Sequence, residues 1–363
     1  MTGETATQIK RERLAERARQ LRAATAPGSP LRDQAEAEQA SAVPAAYRQP
    51  GATVALRSGT AIVPARPLID GDQTLRYIYG FLKHFAHWDS EAELVAATLW
   101  IAHTHARDGK GYPVWQYCAR LAILGPSGSG KSWKSRLIGK LASSGEILLE
   151  STAPSFIDLC AENHTIIITE ADEAFRSPGR SRKIVAVCNG SYEPDRSSSR
   201  KQGGVAVKIP LFCHLVLDGI DDVLLSPNRP DLRPLMSRCI IIIANRAPDG
   251  YRPPRFDAKA RAAAEMLSQR AAAWMAQEVA DGMADDVPVV PEHLGNRPFA
   301  LWEPLFTVAL RADQGDPGGP WSTACREACE QLEAVAGVPD QTEDQASELD
   351  RQMAAYGLGE DEF

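Results

Sequence analysis

With 363 residues, 44% of them hydrophobic, the chain is long enough for one to three domains and a large core. A net charge of −7 excludes a uniformly basic nucleic-acid binder, so any DNA or RNA contact must come from a local basic patch. Seven cysteines without a C-x-x-C pair argue against a disulfide framework or a zinc site. Each cysteine is expected as a small buried residue. No apolar run approaches the ~18 residues of a membrane span. The first twenty residues are polar and lack the apolar core of a signal peptide. The expectation is a cytoplasmic protein without a membrane partner.

Residues 8–22, QIKRERLAERARQLR, predict a helix that is either a solvated face or a basic arm. From Ala23 to about Pro67 the composition turns to Ala, Pro, Gly and Ser, which reads as a disordered linker. The first 68 residues therefore form an N-terminal helix and linker. Order is expected to begin near Asp70. Residues 75–88 and 91–106 carry two helical patterns rich in aromatics, a helical lead-in over 69–118. His84, His87, His103 and His105 fall here, but without an H-E-x-x-H motif they read as packed or surface histidines.

Strand and helix then alternate. RLAIL (120–124) predicts a strand running into GPSGSGKS. The helix after it has Trp133, Leu137 and Leu141 in register and is expected to stop at Gly145. EILLE (146–150), TIIIT (165–169), LFCHLVLD (211–218) and RCIIIIAN (238–245) predict four further strands. Helical segments at 155–162 and 182–190 lie between them. Continuous apolar runs suit parallel strands buried on both faces by helices. The expected fold class is α/β, a P-loop NTPase (AAA+-like) three-layer core on a mainly parallel five-stranded sheet, with helical N-terminal and C-terminal parts. The core is assigned to 69–250. Residues 251–337 read as a helical C-terminal lid subdomain, with Asp257 as an N-cap, and 338–363 as an acidic flexible tail.

The chemistry centres on Gly125-Pro126-Ser127-Gly128-Ser129-Gly130-Lys131-Ser132, followed by Trp133. This is the phosphate-loop pattern G-x-x-x-x-G-K-[ST], placed between a strand and a helix. Its glycines let backbone N–H groups close on phosphates at a helix N-terminus. Lys131 supplies a point charge to the β- and γ-phosphates and Ser132 a hydroxyl for Mg²⁺. These nine residues are the candidate nucleotide-binding set, and ATP and Mg²⁺ the expected cofactors.

Hydrolysis also needs carboxylates at the end of a neighbouring strand, one for Mg²⁺ and one for the attacking water. TIIITEADEAF puts Thr169 where an Asp is usual and Glu170 in the place of the water-polarising Glu. Thr169 and Asp172 complete the candidate metal set with Ser132. Asp218, ending the fourth strand, is a candidate γ-phosphate sensor or a turn-forming Asp. Arg238 stands directly before the fifth strand. There it could reach the nucleotide of a neighbouring subunit, which requires an oligomer, or cap a helix. Residues 191–210 suggest a hairpin turning at Gly203-Gly204. Its Arg196, Arg200 and Lys201 would meet nucleic-acid phosphates without reading sequence, or form a solvated loop.

The segments ATLWIAHTHARD, RLAILGPSGSGKS, IIITEADEAF, VCNGSY, LMSRCIIII and LWEPLFTVALRAD resemble a family. It is the uncharacterised P-loop ATPases of actinobacteria, their phages and plasmids, often found beside primase-type domains. The resemblance runs from about Leu75 to Leu332. It implies a helicase-like or translocase-like motor in replication or maintenance of a mobile element. DNA would be a sequence-independent partner, the chain a homo-oligomer such as a hexameric ring, and a primase a further partner. The family usually reads DEAD where this chain has Thr169-Glu170-Ala171-Asp172. Two alternatives stay open: a nucleotide-dependent switch or scaffold with weak hydrolysis, and a P-loop kinase.

Overall fold

The computed structural model describes residues 69–148, 152–176, 178–202 and 205–336. The predicted arm at 8–22, the linker and the acidic tail lie outside them. The described residues belong to one compact unit.

Two helices open it. In α1 (Gly71–Phe85), the Asp70 side chain accepts a hydrogen bond from the Gln73 N–H, an ordinary N-cap. In α2 (Glu91–Thr104), Ser90 caps in the same way, and every residue from Ala92 to Thr104 is buried. A helix covered on all sides has no polar face to keep, which is why EAELVAATLWIAHT shows no amphipathic stripe.

The α/β part follows as β1 (Leu121–Leu124), α3 (Lys131–Leu141), β2 (Gly145–Leu148), α4 (Ala153–Ala161), β3 (Thr165–Ile168), α5 (Ala171–Ala174) and α6 (Pro178–Gly190). A hairpin of β4 (Ser197–Gln202) and β5 (Val205–Pro210) precedes β6 (Leu215–Gly219). The short helices α7 (Asp221–Leu224) and α8 (Arg233–Met236) lead to β7 (Ile240–Ile243). The sheet has five strands in the order β2-β3-β6-β1-β7, all pairs parallel. The expectation of a mainly parallel five-stranded α/β sheet therefore holds.

Alternate residues of the central strands feed two cores. Leu121 and Ile123 of β1 pack on one face with α1 to α3, whereas Ala122 and Leu124 pack on the other with α4 and α6. Burial on both faces explains why these strands read as unbroken apolar runs.

One boundary differs from the sequence reading. The third helix ends at Leu141, not Gly145. Gly145 instead opens β2, where an added Cβ would lie 2.1 Å from the Gly139 carbonyl oxygen. Glycine is there for close approach of backbone to backbone, not to stop a helix. The hairpin pairs antiparallel as expected, with Arg200 opposite Val207, but its Gly203-Gly204 turn lies outside the described residues. The C-terminal helices α9 (Ala258–Ala280), α10 (Asn296–Ala312) and α11 (Pro320–Ala336) share one apolar cluster with α1, α2 and α3.

Polar contacts tie the same layers. The Trp321 indole donates to Asp72 (2.8 Å), and Arg270 donates to Thr74 and Gln73. All seven cysteines are free thiols and buried, as expected. No described helix is long and apolar enough to cross a membrane.

Candidate nucleotide site at the carboxyl ends of the central strands

Residues 125–130 leave the end of β1 and enter α3. Gly125 donates to the Gly219 carbonyl (3.2 Å), and Ala244 donates to Leu124 (2.7 Å), so both neighbouring strands hold the base of the loop. Gly130 is left-handed (φ 80°) and serves as the N-cap of α3 without a side chain. The Trp133 and Lys134 N–H groups donate to the Gly130 carbonyl (both 3.0 Å), which leaves those of Lys131 and Ser132 for an anion. The Lys131 ammonium folds back on the Pro126 carbonyl (3.3 Å).

Beneath the loop lies a buried acid. Asp218 sits on β6, registered against Ile123 of β1 and fully enclosed. One carboxylate oxygen accepts from the Ser132 hydroxyl (2.8 Å) and from the Glu170 N–H (3.3 Å). The other lies 2.6 Å from the Ser135 hydroxyl, whose one proton is shared with the Lys131 carbonyl (2.8 Å). Asp172 does not join this group: its carboxylate accepts from the Ile220 N–H (3.1 Å), beyond the end of β6. Thr169 is buried at the end of β3. Glu170 follows it with a left-handed backbone (φ 55°) and an exposed side chain. A non-glycine residue held in that region stores a small strain, of the kind that collects where a side chain must be aimed. Serine hydroxyls and a carboxylate form an all-oxygen donor set, which suits a hard divalent cation.

The remaining candidates are placed as follows. The Trp133 indole is turned from the loop, donating to the Phe85 carbonyl (2.7 Å) and packing edge-on against Phe256. Arg238 is half-buried, lies over the Tyr192 ring at 5.6 Å and donates to the Pro234 carbonyl. Burial, with Arg297 and Arg120 nearby, pushes its guanidinium below the ordinary arginine value. It is packed within its own chain rather than projecting from it. Arg196 is exposed and paired with Glu193 (3.2 Å). Arg200 and Lys201 lie on β4, and their side chains fall outside the description.

Two features escaped the sequence reading. Arg246, two residues past the Ala244 that backs the loop, donates to the Ser127 carbonyl (3.3 Å) and is exposed. Its only sequence signal was a cation directly after the IIIIAN strand. Lys134, on the buried side of α3, lies 3.6 Å from both Asp89 and Glu93 and over the Trp88 ring. Burial raises the Glu93 carboxyl to about 7 against the pull of Lys134. Lys134 thus links the first turn of α3 to Glu93 in α2, and the Asn245 N–H past β7 also donates to Asp89 (2.9 Å).

Residues 244–352 match a family described as "Protein of unknown function (DUF3631)". The match begins at the end of β7 and covers the three C-terminal helices, so it contains Arg246 and none of the phosphate loop. No curated protein matches the chain. The chain is thus similar, over its C-terminal third, to a family whose description assigns no activity.

Proposed function

We propose that this chain is a Mg–ATP-binding P-loop ATPase with an AAA+-like core. The observation that carries the reading is the loop 125–132, which joins a buried parallel strand to a helix N-terminus with Lys131 and Ser132 in place. The strand order supports it: β6 separates β1 from β3, so the loop and the segment carrying Glu170 leave the sheet one strand apart. In small kinases the two strands are usually adjacent, and that alternative is weaker.

In this reading the loop amides and Lys131 bind the phosphates, and Arg246 adds a second cation on the open side. Bound Mg²⁺ would offset the charge on the β- and γ-phosphates. Ser132 would hold it. Glu170 orients water and accepts its proton as the water oxygen bonds to the γ-phosphorus and the bond to ADP breaks. Thr169 in the place of the usual Asp favours a second reading, a switch that binds ATP and turns it over slowly.

We further propose that the motor acts on DNA as a homo-oligomeric ring, with the β4–β5 hairpin as the contact. Exposed Lys208 on β5 adds to Arg196 there. The packed Arg238 would have to leave Tyr192 to serve a neighbouring subunit, so a charge supplied in cis by Arg246 fits the geometry better.

Lys131→Ala should abolish ATP binding measured by calorimetry while leaving the melting temperature of the free protein within a few degrees. ATP binding at wild-type affinity by Lys131→Ala would remove the phosphate loop from function. Turnover with and without single-stranded DNA, together with native mass with and without ATP, separates motor from switch. DNA-stimulated turnover by an assembled ring supports the motor; binding without turnover by a monomer leaves the switch.

A further inference from the structure

The acid that P-loop ATPases need beside the serine of the loop is missing from β3, where Thr169 stands. Another acid occupies the space. Asp218 comes from a different strand, β6, yet its carboxylate is the group that receives the Ser132 hydroxyl (2.8 Å). Asp172, the nearest acid on the β3 side, is used to cap the Ile220 N–H.

We infer that Asp218 is the acidic partner of the cation that Ser132 holds, a role moved from β3 to the neighbouring strand. The inference rests on the proposed Mg–ATP site and names a residue within it.

Three physical arguments carry it. First, Asp218 is fully enclosed, and no basic side chain lies within ion-pair distance of it among the described residues. A carboxylate removed from water without a counter-charge is costly, even with three hydrogen bonds, and a divalent cation at Ser132 supplies the missing charge. Second, both of its oxygens are committed on the side facing α3, to Ser132 and Ser135. They face the start of the helix that follows the phosphate loop, beside the Ser132 hydroxyl that would hold the cation. Third, a γ-phosphate sensor must donate to phosphate oxygen, and a carboxylate that accepts all its bonds cannot. That removes the sensor role in favour of the cation role.

The same carboxylate also accepts from the Glu170 N–H. Asp218 therefore acts as a positioning residue for the catalytic acid as well as the cation's partner. One group replaces the missing β3 aspartate in both respects.

The test is ADP affinity by calorimetry, measured in Mg²⁺ and in EDTA, for wild type, Asp218→Asn, Asp172→Asn and Lys131→Ala. Wild type should bind ADP about tenfold more tightly with Mg²⁺, the size of one hydrogen bond to a charged group. Asp218→Asn should keep the EDTA affinity and lose the gain. Asp172→Asn should keep the gain in full. Retention of the gain by Asp218→Asn, its loss in Asp172→Asn, or its absence in wild type overturns the inference. If Asp218→Asn does not fold, the Asp172→Asn result still decides between the two acids. Failure of the underlying site would look different: ADP binding would be absent in both buffers, or unchanged in Lys131→Ala.

Discussion

Gly125→Ala should lower stability by about 3 kcal/mol, the upper range for overpacking against atoms that cannot move. A Cβ at this position would lie 2.2 Å from the Ala244 carbonyl oxygen. That carbonyl cannot retreat, because the Ala244 N–H is bonded to Leu124 and β7 is paired along the whole of β1. The loop itself would have to shift, and the phosphate cradle with it, so ADP affinity should fall together with the urea midpoint. Gly128→Ala is the contrast. Its nearest neighbour is the Arg246 side chain at 4.0 Å, so only the left-handed backbone is penalised, by about 1–2 kcal/mol. A Gly125→Ala protein with the wild-type urea midpoint would mean that the strand ends are looser than their hydrogen bonds imply.

Acidification should destabilise the protein more than any single surface change. His103, His105 and His214 are buried. His103 packs face to face on Trp115 and edge to face on His214, at 5.2 and 4.5 Å between ring centres. Burial pushes His103 down to about 3 and His105 to about 4, and it drives His214 well below its ordinary value. An unfolded histidine takes a proton near pH 6.5. Between there and about pH 4 the unfolded chain binds protons that the folded chain refuses, so stability is lost as pH falls. At pH 5 the loss is about 2 kcal/mol for each imidazole, about 6 in all.

Glu93 works in the opposite direction. Its raised folded value means that it holds a proton more tightly folded than unfolded, so it favours folding as pH drops from about 7 towards its ordinary value. That returns about 2 kcal/mol. Three imidazoles outweigh one carboxyl. The net loss from pH 7 to pH 5 is then about 3–4 kcal/mol. Urea titrations at the two pH values measure it, and His103→Phe should reduce it by roughly the share of one imidazole. Equal midpoints at pH 5 and pH 7 would show that the three rings are not enclosed.

The loop and its flanking strand and helix were legible in the sequence because each is local. Glycine spacing, the apolar run before it and the period of Leu137 and Leu141 after it all fall within about twenty residues. The five strands were legible for a similar reason, since burial on both faces makes a strand continuous in apolar residues. Asp218 was legible as a candidate beside the loop, but the groups it meets there were not. Asp218 is far from Ser132 along the chain and meets it only because β6 lies beside β1, and strand order is not written in any local pattern. The motif places the expected acid on β3, where position in the chain suggests it, whereas in the proposed site the packing offers one from the next strand. Gly145 was misread in the same way, and the Trp133 indole turned out to face away from the loop. Each has a local meaning, a helix stop or a loop neighbour, that a distant contact overrides: the Gly139 carbonyl for one, Phe85 and Phe256 for the other.

The position of β6 has a mechanical side. Only residues 211–214 separate it from the β4–β5 hairpin, and its far end carries Asp218. Five residues of strand span about 17 Å. Paired to β3 on one edge and β1 on the other, such a strand would share any load on the hairpin with the whole sheet before it reached Asp218. Any movement of Asp218 that followed would carry the hydroxyl of Ser132 and the backbone of Glu170 with it. The proposed hairpin contact and the proposed nucleotide site would thus lie at the two ends of one strand.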